Sequence, residues 1–193
     1  MFHIKTSIPR DAWLAVSGGV DSMAALHWCT HDKQRIAGAL HVDHGTPHAK
    51  EARAFVVEYC AEHNIQCDVH EVTGDSENAW RQERLRVYGQ YPRVLTAHHL
   101  DDVAEWWLLT SMRCNAKLIP WVTGNICHPF LLNPKSKFED WAARNNVPHV
   151  TDPTNVGNSN DRSKLRAIMP SLMDIYPGLH QGLRTRLLNA LPE

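Results

Sequence analysis

Six consecutive residues near the amino terminus, Ser17-Gly18-Gly19-Val20-Asp21-Ser22, have the types and spacing of a phosphate-binding loop. They follow a short apolar run, Ala12 to Val16, and precede a helical run, Met23 to Cys29. The two glycines allow a sharp turn that brings backbone N–H groups close to an anion, at the positive end of a helix. Asp21 and Ser22 stand where an N-cap side chain is wanted. No lysine precedes the final hydroxyl residue, so the sequence predicts a phosphate loop other than the Walker type.

A second polar group, 96–105, opens a later predicted helix. Asp101 and Asp102 lie one turn before Glu105, so the three carboxylates fall near one helical face. They are either partners of the helix dipole or, beside a phosphate loop, ligands for Mg²⁺ or a substrate ammonium. The adjacent histidines His98 and His99 do not predict zinc, because no third ligand follows at metal spacing.

Arginines form a third candidate group. Glu77, Arg81 and Arg84 share one face of a predicted helix, 76–88, with Ser76 as its N-cap. That face is either a solvated surface with weak ion pairs or a bidentate clamp for phosphate, to which guanidinium groups are suited.

A fourth segment combines a polar loop, predicted over 151–161, with a basic helix start that contains Arg162, Lys164 and Arg166. Taken alone, this segment is typical of a solvated helix end. Pro170 is expected to kink or restart the helix that follows.

Strand-like and helical runs alternate through the first two thirds of the chain. This pattern predicts an α/β fold, with a doubly wound parallel sheet and a small helical C-terminal extension. Strands are expected at 12–16, 36–42, 65–72 and 93–97, and helices at 49–64, 76–88 and 100–112. Lys117 to Asn133 is expected to be a connection with one short strand. We divide the chain into a catalytic domain, 1–133, and a helical part of the same catalytic unit, 134–193.

In such sheets, ligands bind beyond the carboxyl ends of the strands. The candidate site residues are expected there. They are the 17–22 loop, the 98–102 segment, and the residues that end the second predicted strand, His41, Asp43, His44 and Gly45.

Composition restricts the class of protein. The chain has 193 residues, a net charge of −1 and five cysteines without a Cys-x-x-Cys pair. The chain is therefore not strongly basic overall. Its cysteine spacing does not suggest a zinc knuckle, an iron–sulfur site or a disulfide framework. No apolar run is long enough to span a membrane. We expect a cytoplasmic protein without a membrane partner.

Taken together and in order, these motifs resemble the catalytic N-terminal domain of the tRNA(Ile)-lysidine synthetases, within the PP-loop N-type ATP pyrophosphatases. That resemblance runs from about Trp13 to Pro170. It implies that ATP adenylates the wobble cytidine of a tRNA and that free lysine then displaces AMP to form lysidine. ATP, Mg²⁺, lysine and the tRNA anticodon loop are the implied cofactors and substrates.

The resemblance also implies site residues. Asp21 and Asp102 would bind the metal. The catalytic set would be Asp21, Asp102, Glu105, Arg81, Arg84 and Arg162. The nucleotide set would be Ser17, Gly18, Gly19, Val20, Asp21, Ser22, His41, Asp43, His44, Gly45, His98 and Asp101.

Typical bacterial members of that family continue into C-terminal domains that grip tRNA. We expect this chain to be a short form in which a partner chain or a dimer replaces them. Trp80, beside the arginine face, is the tryptophan best placed to stack on a base, whereas Trp13 and Trp141 are expected in the core. Two alternatives remain open: a PP-loop enzyme that adenylates another nucleoside or a small substrate, and a non-catalytic nucleotide-binding or tRNA-binding relative.

Overall fold

A computed structural model of the chain describes residues 1–31, 36–151 and 161–191. One sheet contains the strands β1 (Ala12–Ala15), β2 (Gly38–Asp43), β3 (Cys67–Glu71), β4 (Arg93–Leu95), β5 (Val122–Thr123) and β6 (Ile126–Cys127). The strands lie in the order β3-β2-β1-β4-β6-β5. All neighbouring pairs are parallel except β5 and β6. The predicted doubly wound sheet is therefore confirmed.

The helices in these ranges are α1 (Val20–His31), α2 (Pro47–Glu62), α3 (Glu77–Tyr88), α4 (Leu100–Met112), α5 (Lys135–Arg144), α6 (Asp161–Ile175) and α7 (Leu179–Asn189). The three helices predicted at 49–64, 76–88 and 100–112 are all present, and α4 has the predicted bounds. None of the helices described is both long and apolar enough to cross a bilayer.

Helices cover both faces of the sheet, so side chains of β1 that point to opposite faces both find packing partners. Leu14 is buried with Met23 of α1 and Phe138 of α5 on one face. Trp13 packs on the other face against a cluster that contains Tyr88 of α3. Trp13 and Trp141, both expected in the core, are half-buried at its margin. A third cluster joins α4 to α6 and α7, so the C-terminal helices pack on the helix that carries the acidic residues.

Local signals explain where several helices begin. The Thr46 hydroxyl accepts the Ala49 N–H at 3.1 Å, and Pro47 occupies the first turn of α2, where no intrahelical donor is needed. Ser76 caps α3 as predicted and accepts the Ala79 N–H at 3.2 Å.

Three expectations need correction. The 117–133 segment contains two short strands, β5 and β6, rather than one. Pro170 lies inside α6, which continues to Ile175 without a restart. Asp21 and Ser22 are not at an N-cap, because α1 already begins at Val20 and the Met23 N–H donates to the Gly19 carbonyl. Residues 152–160, most of the predicted 151–161 loop, lie outside the described residues.

The strand order places the candidate residues together. β1 lies between β2 and β4, so chain connections leave it in opposite directions on its two sides. Because β1, β2 and β4 run parallel, the segments that follow them emerge at the same edge of the sheet. This edge is the topological switch point, where open α/β sheets bind their ligands.

Candidate active site

The 17–22 loop connects β1 to α1, and its two glycines have different roles. Gly18 has a φ of +89°, and a Cβ there would meet Val150 Cγ2 at 2.9 Å. Its carbonyl also accepts the Val150 N–H at 2.9 Å, so Gly18 fixes the fold of this region. At Gly19, a Cβ would meet only Ser17 Oγ, at 3.6 Å, among the atoms described. Gly19 therefore leaves open space for a ligand at the helix start.

Ser22 closes the loop on itself. Its hydroxyl donates to the Gly19 carbonyl at 3.0 Å and accepts the Ser17 N–H at 3.1 Å. The Ser17 and Ser22 hydroxyls are 3.2 Å apart. Ser22 thus shapes the loop, whereas Val20 packs against the core as the first residue of α1.

Asp21 points from the loop toward the segment after β4. Asp21 Oδ2 lies 3.6 Å from His99 Nε2. Asp21 Oδ1 is buried and has no hydrogen-bond partner among the described residues. A buried carboxylate oxygen without a donor is costly, so this atom marks a place for a cation or an N–H group.

His41 presents a second buried acceptor. Its imidazole is 3% exposed, and Nδ1–H donates to the Val16 carbonyl at 2.8 Å. Because a carbonyl only accepts, Nε2 carries a lone pair, and that atom has no partner in the part of the chain described. Burial lowers the pKa of His41, with Asp43 opposing and Arg53 assisting. His41 is therefore a neutral acceptor beside the loop.

The other residues after β2 shape the turn. Asp43 Oδ1 accepts the Gly45 N–H at 2.8 Å, and its Oδ2 lies 3.7 Å from Arg53. Gly45 has a φ of +76°. The His44 ring lies 5.6 Å from that of Trp80, centroid to centroid. Asp43 is thus occupied in the turn, whereas His44 faces α3.

The acidic residues of α4 are joined to α6 by two arginines. Arg162 donates to Asp102 Oδ1 at 2.9 Å and to Glu105 Oε2 at 3.0 Å. Arg166 binds both oxygens of Glu105, at 2.7 and 3.0 Å. Asp102 and Glu105 side chains are 11% and 4% exposed, whereas both arginines are more than 40% exposed. We name these four residues the carboxylate–arginine clasp.

Asp102 is further held by His99 in a capping box. Asp102 Oδ2 accepts the His99 N–H at 3.0 Å, and His99 Nδ1 accepts the Asp102 N–H at 3.3 Å. Burial raises the pKa of Asp102, but the charges of His99, His98 and Arg162 outweigh it and hold the pKa below its usual value. Burial likewise opposes charge on His99, yet Asp21, Asp102 and Asp101 raise its pKa.

Asp101 lies apart from the clasp. Its Oδ2 accepts the Lys135 N–H at 2.7 Å, which satisfies a free donor at the start of α5. Its Oδ1 is 3.7 Å from His180 Nε2 of α7. In the structure, Asp101, predicted to bind nucleotide, connects α4 to two other helices.

His98 contacts Thr96, the first residue of the 96–105 group, and His128, whose importance the sequence did not indicate. The Thr96 hydroxyl lies 2.8 Å from His98 Nδ1 and 2.6 Å from His128 Nδ1. His128 follows β6, and the parallel pairing of β4 with β6 brings it to this position. A histidine directly after a strand was the available signal, but β6 was too short to be assigned.

The arginines of α3 are the remaining predicted residues. Arg81 is exposed and Arg84 half-buried, and neither forms a hydrogen bond or ion pair with a described side chain. The charge of Arg84 contributes to lowering the pKa of both His44 and His98. Arg84 therefore lies between the ends of β2 and β4, where its charge acts on the cleft.

No group of three or more His, Cys, Asp or Glu side chains within the described ranges is arranged to hold a metal ion. The five cysteines are free, and three of them are buried.

Comparison with known proteins identifies close matches over most of the chain. A family model described as "PP-loop domain" matches residues 3–172. The tRNA(Ile)-lysidine synthase of Xylella fastidiosa strain 9a5c is 31% identical over 87% of this chain and 42% of its own length. That of Lactiplantibacillus plantarum is 30% identical over 92% of this chain and 46% of its own length. The chain spans less than half of each of these relatives.

Among solved structures, the U34-tRNA thiolase NcsA of Methanococcus maripaludis superposes with a TM-score of 0.71. The match covers 94% of this chain and 73% of the thiolase, at 16% identity, and so supports the fold alone. With the family model matched across most of the sequence, and with its loop at the sheet's switch point, this chain belongs to the PP-loop domain family.

Proposed function

We propose that this chain uses ATP to adenylate the wobble cytidine of a tRNA, and that lysine then displaces AMP to form lysidine. The observation that carries the proposal is the meeting of the 17–22 loop with the acidic start of α4, marked by the 3.6 Å approach of Asp21 to His99. The names of the curated relatives support the choice of reaction. We place this activity in the cytoplasm, with its tRNA substrate.

The loop is the proposed site for the phosphates of ATP. Backbone N–H groups at the start of α1 and the helix dipole favour an anion there, and Gly19 leaves room for its approach. His41 Nε2, a buried acceptor, suits an N–H or O–H group of the nucleoside. These features suit the adenylating half of the reaction.

Mg²⁺ would accompany the phosphates. Asp21 fits a metal, because its buried Oδ1 is an oxygen donor without a partner in the described residues, and Mg²⁺ usually takes one or two carboxylates together with phosphate oxygens. Asp102 would be the second ligand, as predicted; each of its oxygens already accepts one hydrogen bond, so it would bind the metal through the remaining lone pairs. Mg²⁺ would neutralise phosphate charge when bound.

The clasp is the proposed site for the lysine substrate. Its carboxylates are buried and can hold an ammonium group, while its arginines are partly exposed and can turn toward a carboxylate or phosphate. Lysine carries an ammonium group and a carboxylate. When it binds, its ammonium group would replace an arginine as the partner of a clasp carboxylate, and its carboxylate would pair with the arginine so released. Because α6 supplies the arginines, we propose that 134–193 belongs to the same catalytic unit as 1–133.

The α3 arginines are the proposed contacts for tRNA. The charge of Arg84 acts on the cleft, and Arg81 is exposed. Trp80 of the same helix is half-buried against the His44 ring, and we propose that its exposed part stacks on a splayed base. A net charge of −1 leaves few phosphate contacts, so we propose that this chain reads the anticodon loop. A partner chain or a dimer would then grip the rest of the tRNA.

A second candidate is ATP-dependent activation of another nucleoside. The thiolase superposition shows that the fold occurs in a protein named for sulfur transfer and an iron–sulfur cluster. The described cysteines here include no group of three that could hold a cluster, which favours an amine over sulfur as nucleophile.

The experiment is exchange of labelled pyrophosphate into ATP, followed with bulk tRNA and without lysine. We expect exchange that requires tRNA and is lost in Asp21→Asn, with Asp11→Asn as the control because Asp11 lies outside the cleft. Exchange without tRNA, or with a small molecule in its place, would contradict the proposal and favour the second candidate.

A further inference from the structure

Two imidazoles converge on one hydroxyl at the end of β4. Thr96 Oγ1 lies 2.8 Å from His98 Nδ1 and 2.6 Å from His128 Nδ1, and the two nitrogens are 3.2 Å apart. Thr96 and His128 are 8% and 7% exposed. Backbone bonds fix this geometry, because the Thr96 N–H donates to Cys127 and the His128 N–H donates to Trp121.

The chemistry of these groups determines how many protons they share. A hydroxyl has one hydrogen to donate, so it can donate to only one of the two nitrogens. Two lone pairs, or two N–H groups, facing each other at 3.2 Å would repel. The stable arrangement therefore has one protonated Nδ1 that donates to Thr96 and one bare Nδ1 that accepts from it.

His98 directly precedes His99, whose Nε2 lies 3.6 Å from Asp21 Oδ2 of the 17–22 loop. Burial lowers its pKa, and the charges that act on it come from Asp102, which opposes the shift, and from Arg162, His99 and Arg84. These residues belong to α4, α6, the segment after β4 and α3, so His98 adjoins the cleft from which a substrate would be attacked. At neutral pH it is uncharged and can accept a proton.

His128 lies on the far side of the hydroxyl. Burial and the charge of His98 lower its pKa to about 3, with Asp102 opposing. His128 is therefore neutral at neutral pH, and any proton that it accepts is released quickly. This behaviour suits the last acceptor in a chain of proton transfers.

We propose that His98, Thr96 and His128 form a proton relay that serves the amine-transfer step of the proposed reaction. The substrate reacts as its neutral amine, after its ammonium form has released a first proton to solvent. The amine nitrogen bonds to C2 of the activated cytidine, and the C2–O bond to AMP breaks with its electron pair leaving on AMP. The amine proton passes to His98 Nε2, the Nδ1 proton of His98 passes to Thr96 Oγ1, and the Thr96 hydroxyl proton passes to His128 Nδ1. His128 then returns a proton to solvent, and His98 remains uncharged.

In this scheme His98 is the catalytic base, and Thr96 and His128 act through it. The relay rests on the proposed function, because that reaction supplies the proton. It adds a purpose for His128, which no motif in the sequence singled out.

Nitrogen NMR of the histidine side chains tests the shared proton in the protein alone. We expect Nδ1 to be protonated on His98 and bare on His128. Protonation of both Nδ1 atoms or of neither, or the reverse assignment, would overturn the relay whatever the reaction proves to be.

Single-turnover release of AMP from preformed adenylate, started by adding lysine, tests the relay in catalysis. Thr96→Val keeps the side-chain shape and removes the hydroxyl, and we expect AMP release to slow about tenfold, less than the ~10²–10⁴-fold worth of a general base. Pyrophosphate exchange, which moves no amine proton, should slow less than AMP release. Thr30→Val is the control, since it also removes a hydroxyl bonded at 2.9 Å, but within α1.

Mixtures of H₂O and D₂O separate a relay from a purely structural role. The wild-type rate of AMP release should fall along a curve as the D₂O fraction rises, because several protons move together, whereas Thr96→Val should give a straight line. A straight line for wild type, or equal AMP release by Thr96→Val and wild type, would contradict the relay. Absence of pyrophosphate exchange in wild type would instead contradict the proposed function.

Discussion

At the scale of single residues, adjacent positions of similar type have different roles. Gly18 is fixed by its positive φ and by its contact with Val150, whereas Gly19 borders open space. Asp21 has a buried oxygen without a partner in the described structure, whereas the Ser22 hydroxyl forms hydrogen bonds with the backbone of the loop.

The two glycines give a matched pair of variants. We expect Gly18→Ala to lower the free energy of unfolding by roughly 1–2 kcal/mol, because a Cβ is strained at positive φ. Gly19→Ala should change stability by less than about 1 kcal/mol but weaken ATP binding at least tenfold, because its Cβ would occupy the ligand's approach. Urea unfolding and calorimetric titration with ATP measure the two quantities. Unchanged ATP affinity in Gly19→Ala would contradict the phosphate role of the loop.

Residue types at the site were predictable from the sequence, but their partners were not. Asp102 and Glu105 share a helix face because of their spacing, which a sequence displays directly. Their pairing with Arg162 joins residues 57 and 60 positions apart, and it depends on how α6 packs on α4. His128 escaped notice for the same reason, since only the sheet brings it to Thr96.

At the scale of elements, the clasp joins α4 to α6. Glu105 is nearly buried and accepts hydrogen bonds from both arginines, so its charge is fully compensated only when α6 is in place. The clasp therefore couples the position of α6 to the acidic residues of the site.

Glu105→Gln tests that coupling. We expect the free energy of unfolding to fall by about 1.5–3 kcal/mol, the range for hydrogen bonds to charged groups, with urea unfolding as the measurement. Glu139→Gln is the control, because Glu139 forms an exposed ion pair with Lys135 at 4.0 Å, worth under about 1 kcal/mol. Equal losses in the two variants would mean that the clasp does not hold α6.

The longer elements were predictable and the shortest were not. Helices such as α4 carry a periodic apolar face over several turns, which a sequence shows clearly. Strands β5 and β6 have two residues each, too few for a period, and they depend on pairing with β4.

At the scale of the whole molecule, the half-buried histidine His27 makes stability depend on pH. Burial, His31 and His63 lower the pKa of His27 to about 4, and Trp141 Nε1–H donates to its Nδ1 at 3.1 Å. The unfolded chain binds a proton at His27 below the ordinary histidine pKa of 6.5, whereas the folded chain does not until about pH 4.

The free energy of unfolding should therefore decrease as the pH falls from 6.5 to about 4, with no further loss from His27 below that value. His27→Gln should reduce this decrease, and His3→Gln, at an exposed position, should not. Urea unfolding at several pH values measures the effect. An identical pH dependence in His27→Gln and wild type would contradict the assignment.

The most direct test of the central claim is mass spectrometry of the wobble nucleoside after incubation of this protein with ATP, Mg²⁺, lysine and tRNA. We expect cytidine to gain one lysine with loss of water, and AMP to form in equal amount. Unmodified cytidine, despite conversion of ATP to AMP, would contradict it.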